Sequence, residues 1–170
     1  MKRLFFALWP EVKVRQDCVT ILHNIGNKDV KPVCPDDIHV TLLFLGNIAS
    51  DKESILKQEA EIIPVPRLTL CFNQLNFWKK PGILCLTATE LNQELMVLVD
   101  DLATLAGKLD IAIDKRPFVP HVTLFKKALA PTVLAFEPII WQAEAFCLVE
   151  SLPLDQGVKY RVIEQWTHKI

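Results

Sequence analysis

Several features that would indicate a specialised class of protein are missing from this chain. It has no stretch near the roughly 20 apolar residues of a membrane span, and no C-x-x-C pair among its five cysteines. Its 19 basic and 20 acidic residues leave a net charge of -1, so it lacks the basic excess with which proteins hold long nucleic acids. We therefore expect no membrane association, no metal site and no cofactor, while a small anionic ligand stays possible.

What is present indicates a folded, globular protein. Hydrophobic residues make up 51% of the chain and charged residues 23%, and 170 residues suit one compact domain. We expect residues 1–170 to form a single bilobal domain. The scattered cysteines are typical of reduced, mostly buried thiols, which predicts a cytoplasmic protein. The apolar run 4–9 after Lys2-Arg3 is too short for a secretion signal, and we interpret it as a first strand.

The hydrophobic patterns predict an α+β fold. Gly26-Asn27 and Gly107 are expected to end the first and third helices, Ser50 to cap the second, and Gly46-Asn47 to form a turn. Hairpin turns are expected at 79–82 and 155–157. The predicted helices cover 11–24, 50–63 and 90–106, and the predicted strands cover 4–9, 38–45, 67–75, 83–88, 121–125, 139–150 and 158–166.

A strand-helix-strand unit occurs twice. Each copy passes through a proline-bearing loop and closes on His-Val-Thr-Leu, at 39–42 and at 121–124. In a strand, His39 and Thr41 share one face, while Val40, Leu42 and Phe44 are expected on the other. His121 and Thr123 share a face in the same way. If the units are related by a pseudo-twofold axis, the two polar pairs meet in one cleft.

Two histidines in one cleft suit acid-base chemistry on a phosphoester. With an unperturbed pKa of about 6.5, one imidazole can accept a proton while the other donates one. Threonine hydroxyls can donate to phosphate oxygens. The chain shows no serine or cysteine nucleophile paired with a carboxylate. His23 and His168 lack the repeated context, and we expect both at the surface.

At this point the residues resemble the two-histidine phosphoesterase superfamily, and within it the bacterial and archaeal RNA 2′,3′-cyclic phosphodiesterases once named 2′-5′ RNA ligases. The likeness spans nearly the whole chain. It rests on residues 3–8, on the first motif at 37–46, on the second motif at 116–124, and on Glu150-Ser151, Tyr160 and Trp166.

The resemblance implies two pseudo-symmetric lobes of antiparallel-dominated sheet, with outer helices, around a central cleft. It implies hydrolysis of a 2′,3′-cyclic phosphate to a 2′-phosphomonoester, with reversible 2′-5′ joining of RNA ends in some members. Carried over by position, His121 is the base that activates water, and His39 is the acid that protonates the departing O3′. Thr41 and Thr123 would bind the phosphate.

The chain departs from the family pattern at two places. The arginine usual five residues after the second histidine is Lys126, followed by Lys127. Lysine keeps the charge but lacks the planar fork that grips phosphate, so we expect Lys126 to bind it differently. The tryptophan often found shortly before the first motif is absent, and residues 32–34 are Pro-Val-Cys.

Other positions leave two interpretations open. Arg116 could contact phosphate or be a solvated loop charge. Phe6 and Phe118 could stack on a base, as aromatic side chains do with RNA, or pack in the core. Asp36 and Asp37 are interpreted as turn residues rather than metal ligands.

Three functions remain possible from the sequence. The first is a metal-independent RNA 2′,3′-cyclic phosphodiesterase that acts on RNA ends as a monomer. The second is the same chemistry on a small cyclic nucleotide or a cyclic ADP-ribose phosphate. The third is a nucleotide-binding module without turnover, which the paired histidines disfavour because a pure binder needs neither imidazole.

Overall fold

The computed structural model describes residues 1–26 and 30–169. In these residues the chain forms three α-helices and ten strands, which confirms the α+β class. The helices are α1 (Val12–Ile25), α2 (Ser50–Ala60) and α3 (Gln93–Lys108). The strands are β1 (Lys2–Leu8), β2 (Lys31–Pro32), β3 (Val40–Ile48), β4 (Leu68–Phe72), β5 (Gln74–Trp78), β6 (Ile83–Thr87), β7 (His121–Lys126), β8 (Ile139–Ala143), β9 (Ala145–Leu154) and β10 (Gly157–Thr167).

The main sheet joins two halves at its centre. Its order is β10-β9-β1-β3-β7-β6-β5, with β2 paired to the far end of β7, and all of its pairings are antiparallel. Within the described residues, strands β3 and β7 pair at one position, Val40 with Val122. Each of these valines directly follows one of the two histidines. The sheet therefore places both His-x-Thr segments side by side, where its two halves join.

The predicted duplication is present in three dimensions. In each unit the first strand lies antiparallel beside the strand that carries the histidine: β1 beside β3, and β6 beside β7. The helices cross over, since α1 contacts β7 and α3 contacts β3. Both helices and the β4-β8 pair contribute to one continuous core on one face of the main sheet. The opposite face, with a small cluster around Phe5 and Val149, carries the histidines.

Two β-bulges change which side chains share a face. Thr41 pairs with Ala7 but Leu43 pairs with Phe6, so Leu42 is an extra residue in β3. Strict alternation placed Phe44 on the core face, and this was wrong: Phe44 pairs with Phe5 on the histidine face and is 42% exposed. A bulge rotates the following residues by one position and so reverses their faces.

The same irregularity occurs in the second unit. Thr123 pairs with Cys85 but Phe125 pairs with Leu84, so Leu124 is the extra residue. Phe125 consequently enters the core at 2% exposure, and Lys126 turns to the face of His121 and Thr123. The bulge is what brings Lys126 to the histidine side of the sheet.

Several predicted boundaries were wrong. The segment 67–75 breaks at Asn73 into β4 and β5, which belong to different sheets, and 139–150 breaks at Glu144 into β8 and β9. Gly46 is not in a turn, because its positive φ of 78° accommodates a second bulge within β3.

Helix ends were predicted with mixed success. Gly26 ends α1 in the left-handed conformation as expected, whereas Asn27 lies outside the described residues. The N-cap of α2 is Ala49 rather than Ser50, and Gly107 lies inside α3.

The hairpin turns at 79–82 and 155–157 are confirmed. None of the helices described is long and apolar enough to cross a bilayer.

Candidate active site

The two histidines are held by matching backbone contacts. His39 Nδ1 lies 2.6 Å from the carbonyl oxygen of Asp37, and His121 Nδ1 lies 2.9 Å from that of Val119. A carbonyl can only accept, so each Nδ1 carries the proton and donates it. In the neutral ring Nε2 is then the basic nitrogen. Both imidazoles thus have the same tautomer, fixed by a carbonyl two residues back.

The threonines lie on the face of His39 that strand alternation predicts, and Lys126 lies near His39 as the family resemblance implies. Thr41 Oγ1 is 3.0 Å from His39 Nε2, to which it donates in this tautomer. In antiparallel register, the residue before Val40 lies opposite the residue after Val122, so His39 neighbours Thr123. A cavity of about 130 Å³ holds these groups; its lining is Val33, Asp37, His39, Thr41, Thr123, Lys126 and Tyr160.

His121 stands beside this cavity rather than in its lining. The same register places it next to Thr41. The two imidazoles are nevertheless close enough to interact: a positive charge on His121 would repel a positive charge on His39, and His121 contributes to the lowered pKa of His39. Among the described residues, no side chain hydrogen-bonds to His121 Nε2, whereas His39 Nε2 is occupied by Thr41. The lone pair of His121 is therefore the one available to a water molecule.

Aromatic rings surround His39. The indole of Trp9 stacks on the imidazole at 5.4 Å between centroids, with 8° between the planes. Phe5 and Tyr160 pack at 5.2 and 5.1 Å. In the second unit, Trp78 lies 4.6 Å from His121. Each catalytic candidate therefore has a tryptophan neighbour, supplied by β5 for His121 and by the segment after β1 for His39.

Burial sets the protonation of both imidazoles. The pKa of His39 is lowered to about 4, mainly by loss of hydration. The hydrogen bond to the Asp37 carbonyl opposes this shift, and the charges of Lys126 and His121 contribute to it. Burial also lowers the pKa of His121, opposed by the bond to Val119. Removal from water disfavours the charged form of an imidazole. In the free protein both rings are consequently neutral at pH 7.

Tyr160 and Asp37 connect the cleft to the last hairpin. The Tyr160 amide donates to Asp37 Oδ1 at 3.4 Å, and Lys126 Nζ lies 5.9 Å from the centre of the Tyr160 ring. Burial raises the pKa of Asp37, while the Tyr160 amide and then Lys126 oppose that rise. Asp37 is in a short 3-10 turn (Pro35–Asp37), so the turn interpretation of Asp36 and Asp37 is confirmed.

Other predicted positions lie away from the cleft chemistry. Arg116 is exposed and paired with Asp114, which agrees with a loop charge. Phe6 is fully buried in the core, and Phe118 is half-buried with its side chain packed against the core. His23 is exposed as expected. His168 is half-buried and lines two surface grooves, with Nδ1 2.6 Å from the Val65 carbonyl oxygen.

The sequence did not reveal the tryptophans or the role of Tyr160 as a wall of the cleft. Trp9 directly follows β1, and Trp78 ends the strand beside β6; neither position is near a His-x-Thr motif in sequence. A usable signal was that Trp9 precedes Pro10 at the end of the first strand, in register with the start of the second strand of its unit. The sequence analysis predicted both strands but neither their pairing nor this side-chain contact.

Larger grooves lie elsewhere on the molecule. One of about 450 Å³ runs between residues 61–65 and 165–169, and one of about 430 Å³ lies between Trp9 and residues 141–145. We assign the site on chemistry rather than volume, because only the smaller cavity contains the repeated motif residues. Within the described part of the chain, no three His, Cys, Asp or Glu side chains are placed to share a metal ion.

Two His-x-Thr segments side by side at the centre of a two-part antiparallel sheet define a two-histidine phosphoesterase. No protein-family model matches the chain. An RNA 2′,3′-cyclic phosphodiesterase from Bacillus subtilis strain 168 is 30% identical, over 78% of each chain, and one from Escherichia coli strain K12 is 26% identical, over 97% of this chain and 96% of that protein. The chain belongs to the RNA 2′,3′-cyclic phosphodiesterase family.

Solved structures agree with this assignment. The crystal structure of E. coli LigT complexed with 3′-AMP is 25% identical, with a TM-score of 0.88 over 99% of both chains. The PDE domain of MHV ns2 is 14% identical, with a TM-score of 0.62 over 87% of this chain and 99% of that domain, which is a likeness of fold alone. The predicted arrangement of antiparallel sheet and helices is thereby confirmed.

Proposed function

We propose that this protein hydrolyses 2′,3′-cyclic phosphate ends of RNA to 2′-phosphomonoesters. The observation that carries the proposal is the pair of imidazoles in matching tautomers on neighbouring strands, next to two threonines and Lys126. The curated relatives named RNA 2′,3′-cyclic phosphodiesterase support the substrate. A single domain over residues 1–170, acting as a monomer, is part of this proposal.

In the proposed mechanism, His121 Nε2 takes a proton from water, and the oxygen attacks phosphorus. The bond from phosphorus to O3′ breaks, and His39 gives a proton to O3′ from Nε2. The product is a 2′-phosphate and a free 3′-hydroxyl, and proton exchange with solvent restores the histidines. The unoccupied Nε2 of His121 supports its role as the base. With an RNA 5′-hydroxyl in place of water, the same attack and the same departure of O3′ would join two RNA ends by a 2′-5′ bond, and the reverse of that step would cleave the bond.

The remaining polar groups would hold the phosphate. Thr41 and Thr123 can donate hydroxyl protons to the non-bridging oxygens, and Lys126 supplies the positive charge. For Thr41 this requires that its proton turn from His39 to the substrate, which frees His39 Nε2 to be protonated. The anionic phosphate then favours the charged imidazole, against the burial that lowers its pKa.

A small cyclic nucleotide is the second candidate substrate. It is favoured by the size of the cavity, about 130 Å³, and LigT has been crystallised with 3′-AMP, ATP and NADP+. The cyclic ADP-ribose phosphate alternative shares the same chemistry. A module that only binds nucleotides would not require two imidazoles with defined tautomers.

A direct assay tests the proposed function. The purified protein is incubated with 2′,3′-cyclic AMP and with a short RNA that ends in a 2′,3′-cyclic phosphate, and the products are separated by chromatography. We expect 2′-AMP and RNA 2′-phosphate. Formation of 3′-phosphates would contradict the proposed departure of O3′, and binding without turnover would favour the nucleotide-binding module.

Activity is expected to survive exhaustive chelation. The proposal assigns the phosphate charge to Thr41, Thr123 and Lys126 and assigns proton transfer to the histidines, so no divalent ion has a role in it. Initial rates are compared before and after dialysis against EDTA. A loss that only added Mg²⁺, Mn²⁺ or Zn²⁺ restores would overturn this part of the mechanism.

The histidine pKa values predict an acidic optimum for kcat/KM. The reaction needs one imidazole neutral and the other protonated, and burial gives His39 a pKa of about 4 and His121 a value below 6.5. The rate should therefore peak at a pH below the ordinary histidine pKa of about 6.5 and fall about tenfold per pH unit on the alkaline side. The optimum for kcat should lie at higher pH, since bound phosphate stabilises the imidazolium. A flat profile from pH 5 to 9 would contradict the two-histidine mechanism.

The state of the cysteine thiols indicates the kind of compartment in which the enzyme works. All five cysteines are free, and Cys18, Cys85 and Cys147 are buried. Burial raises the pKa of each of these three thiols to about 11 or 12. Free thiols are typical of reducing compartments, which supports a cytoplasmic enzyme.

A further inference from the structure

A row of paired residues crosses the second half of the sheet at the mouth of the cleft. Trp78 pairs with Ile83, Ile83 with Lys126, and Lys126 with Lys31 of β2. Residues directly opposite each other in an antiparallel pair have side chains on the same face. Because Lys126 lines the cavity with His39 and Thr41, Lys31 lies on the cleft side, one strand further out.

The ammonium group of Lys31 reaches across this mouth. A methyl group placed on Gly157, at the turn between β9 and β10, would lie 3.4 Å from Lys31 Nζ. Gly157 belongs to the hairpin that also carries Tyr160, the residue under Lys126. Lys31 thus extends from β2, which is paired to the edge of β7, to the opposite hairpin.

Like charges meet here, and among the described residues Asp37, which lines the same cavity and interacts electrostatically with Lys126, forms no salt bridge with either lysine. Lys31 and Lys126 are directly opposite each other, an arrangement that is unfavourable in a sheet. Within residues 1–26 and 30–169, neither lysine forms a salt bridge, whereas Lys2, Lys13 and Lys57 do. In a chain of net charge -1, this concentration of positive charge is local. It would be relieved by an anion that bridges the two ammonium groups.

We propose that Lys31 forms a second phosphate subsite, for a phosphate one nucleoside away from the cyclic phosphate. The inference rests on the proposed function, since it takes the cyclic phosphate to lie between the histidines and Lys126. Lys31 is displaced from Lys126 by one strand spacing of about 5 Å, and flexible side chains can widen that gap. The subsite would favour substrates with a further phosphate, such as an RNA chain, over 2′,3′-cyclic AMP.

The smallest pair of substrates that tests this differs by a single phosphate. Adenosine 2′,3′-cyclic phosphate is compared with its 5′-phosphorylated form in wild type, Lys31→Ala, Lys31→Arg and Lys108→Ala. Lys108 is an exposed lysine at the end of α3, on the helix side of the sheet, and serves as the control. We expect Lys31→Ala to lower kcat/KM about tenfold for the 5′-phosphorylated substrate and less than twofold for the other.

The variants also distinguish an effect of the charge at position 31 from an effect on the structure. Lys31→Arg should retain most of the preference for the 5′-phosphate, and the preference should shrink as salt rises, because screening weakens exposed charge pairs. Equal losses on both substrates, or no loss on either, would overturn the proposal. An equal effect in Lys108→Ala would show that net charge and not position is responsible.

Binding measurements test the second phosphate subsite without requiring turnover. The affinity of each variant for 2′-AMP and for adenosine 2′,5′-bisphosphate is measured by calorimetry. If the wild type hydrolysed neither substrate, the proposed function would fail, yet a selective loss of bisphosphate affinity in Lys31→Ala would still support the subsite. Assays with an RNA dinucleotide and with ADP-ribose 1″,2″-cyclic phosphate then identify the source of the second phosphate: a preference for the dinucleotide that depends on Lys31 supports an RNA chain.

Discussion

His39→Ala and His121→Ala should each lower kcat by at least about 10²-fold on a 2′,3′-cyclic phosphate while the protein stays folded. A positioned general acid or base contributes about 10²–10⁴-fold, and each imidazole has its Nδ1 proton fixed by a carbonyl. The measurement is steady-state turnover, together with circular dichroism and a urea midpoint for each variant. Near-normal turnover in either folded variant would remove that histidine from the mechanism.

The two histidines should also behave as one unit. The double variant is expected to be little slower than the slower single variant, because loss of either imidazole already disables coupled proton transfer. His39 packs against Trp9, Phe5 and Tyr160, so His39→Gln is a second variant that keeps more of the side-chain volume than alanine does. Multiplied losses in the double variant would mean that the two groups act independently.

A substrate with a more stable leaving group can show which histidine is the general acid and which is the general base. A nitrophenyl phosphodiester releases a stable phenolate that needs little protonation, so an enzyme without its acid should lose much less activity on it. On this substrate we expect the rate of His39→Ala to come much closer to the wild-type rate, whereas His121→Ala should remain much slower than wild type. The opposite result would exchange the two assigned roles, which the pH profile alone cannot do because both assignments give the same bell shape.

The central geometry of the site could be foreseen because it depends on local repetition. Each His-x-Thr segment is a short β-rich run, so the alternation of its side chains between the two faces of a strand can be predicted from the sequence. The duplicated unit implied that the two His-x-Thr segments would lie close together. The junction at Val40 and Val122 bears this out. Thr41 and Thr123 follow because two-residue periodicity holds over so short a distance.

The positions five residues after each histidine could not be foreseen by alternation. An extra residue at Leu42 and at Leu124 reverses the faces that follow, bringing Phe44 and Lys126 to the histidine side. A bulge is set by pairing with the neighbouring strand, here β1 and β6, rather than by the local sequence. The family resemblance placed Lys126 near the phosphate even though strict alternation placed it on the core face.

The aromatic surroundings of the histidines were also beyond the sequence. Trp9, Tyr160 and Trp78 come from three distant segments, and their contacts depend on side-chain packing over the open face of the sheet. These contacts matter because they remove His39 and His121 from water. The sequence supplied the ordinary histidine pKa near 6.5, whereas the packing lowers the pKa of His39 to about 4.

Lys126→Ala is expected to lower kcat/KM by about 10–100-fold, because it removes a charge-assisted contact to the phosphate. Lys126 lines the cavity with His39 and Thr123, and its Nζ lies 5.9 Å from the centre of the Tyr160 ring, which limits the directions it can take. Lys126→Arg should preserve or lower KM, because a guanidinium supplies two parallel donors. The loss in the alanine variant should shrink at high salt, since Lys126 is exposed.

Lys127→Ala is the matched control for this prediction. Strand β7 ends at Lys126, and Lys127 has a positive φ of 58°, so the chain turns out of the strand at this residue. Lys127 is exposed and is absent from the lining of the cavity, so its loss should change kcat/KM less than twofold. The comparison holds charge constant, because both variants remove one lysine and differ by one position. Wild-type kinetics in Lys126→Ala, or a larger loss in Lys127→Ala, would show that the bulge in β7 does not bring the phosphate-binding lysine into the cleft.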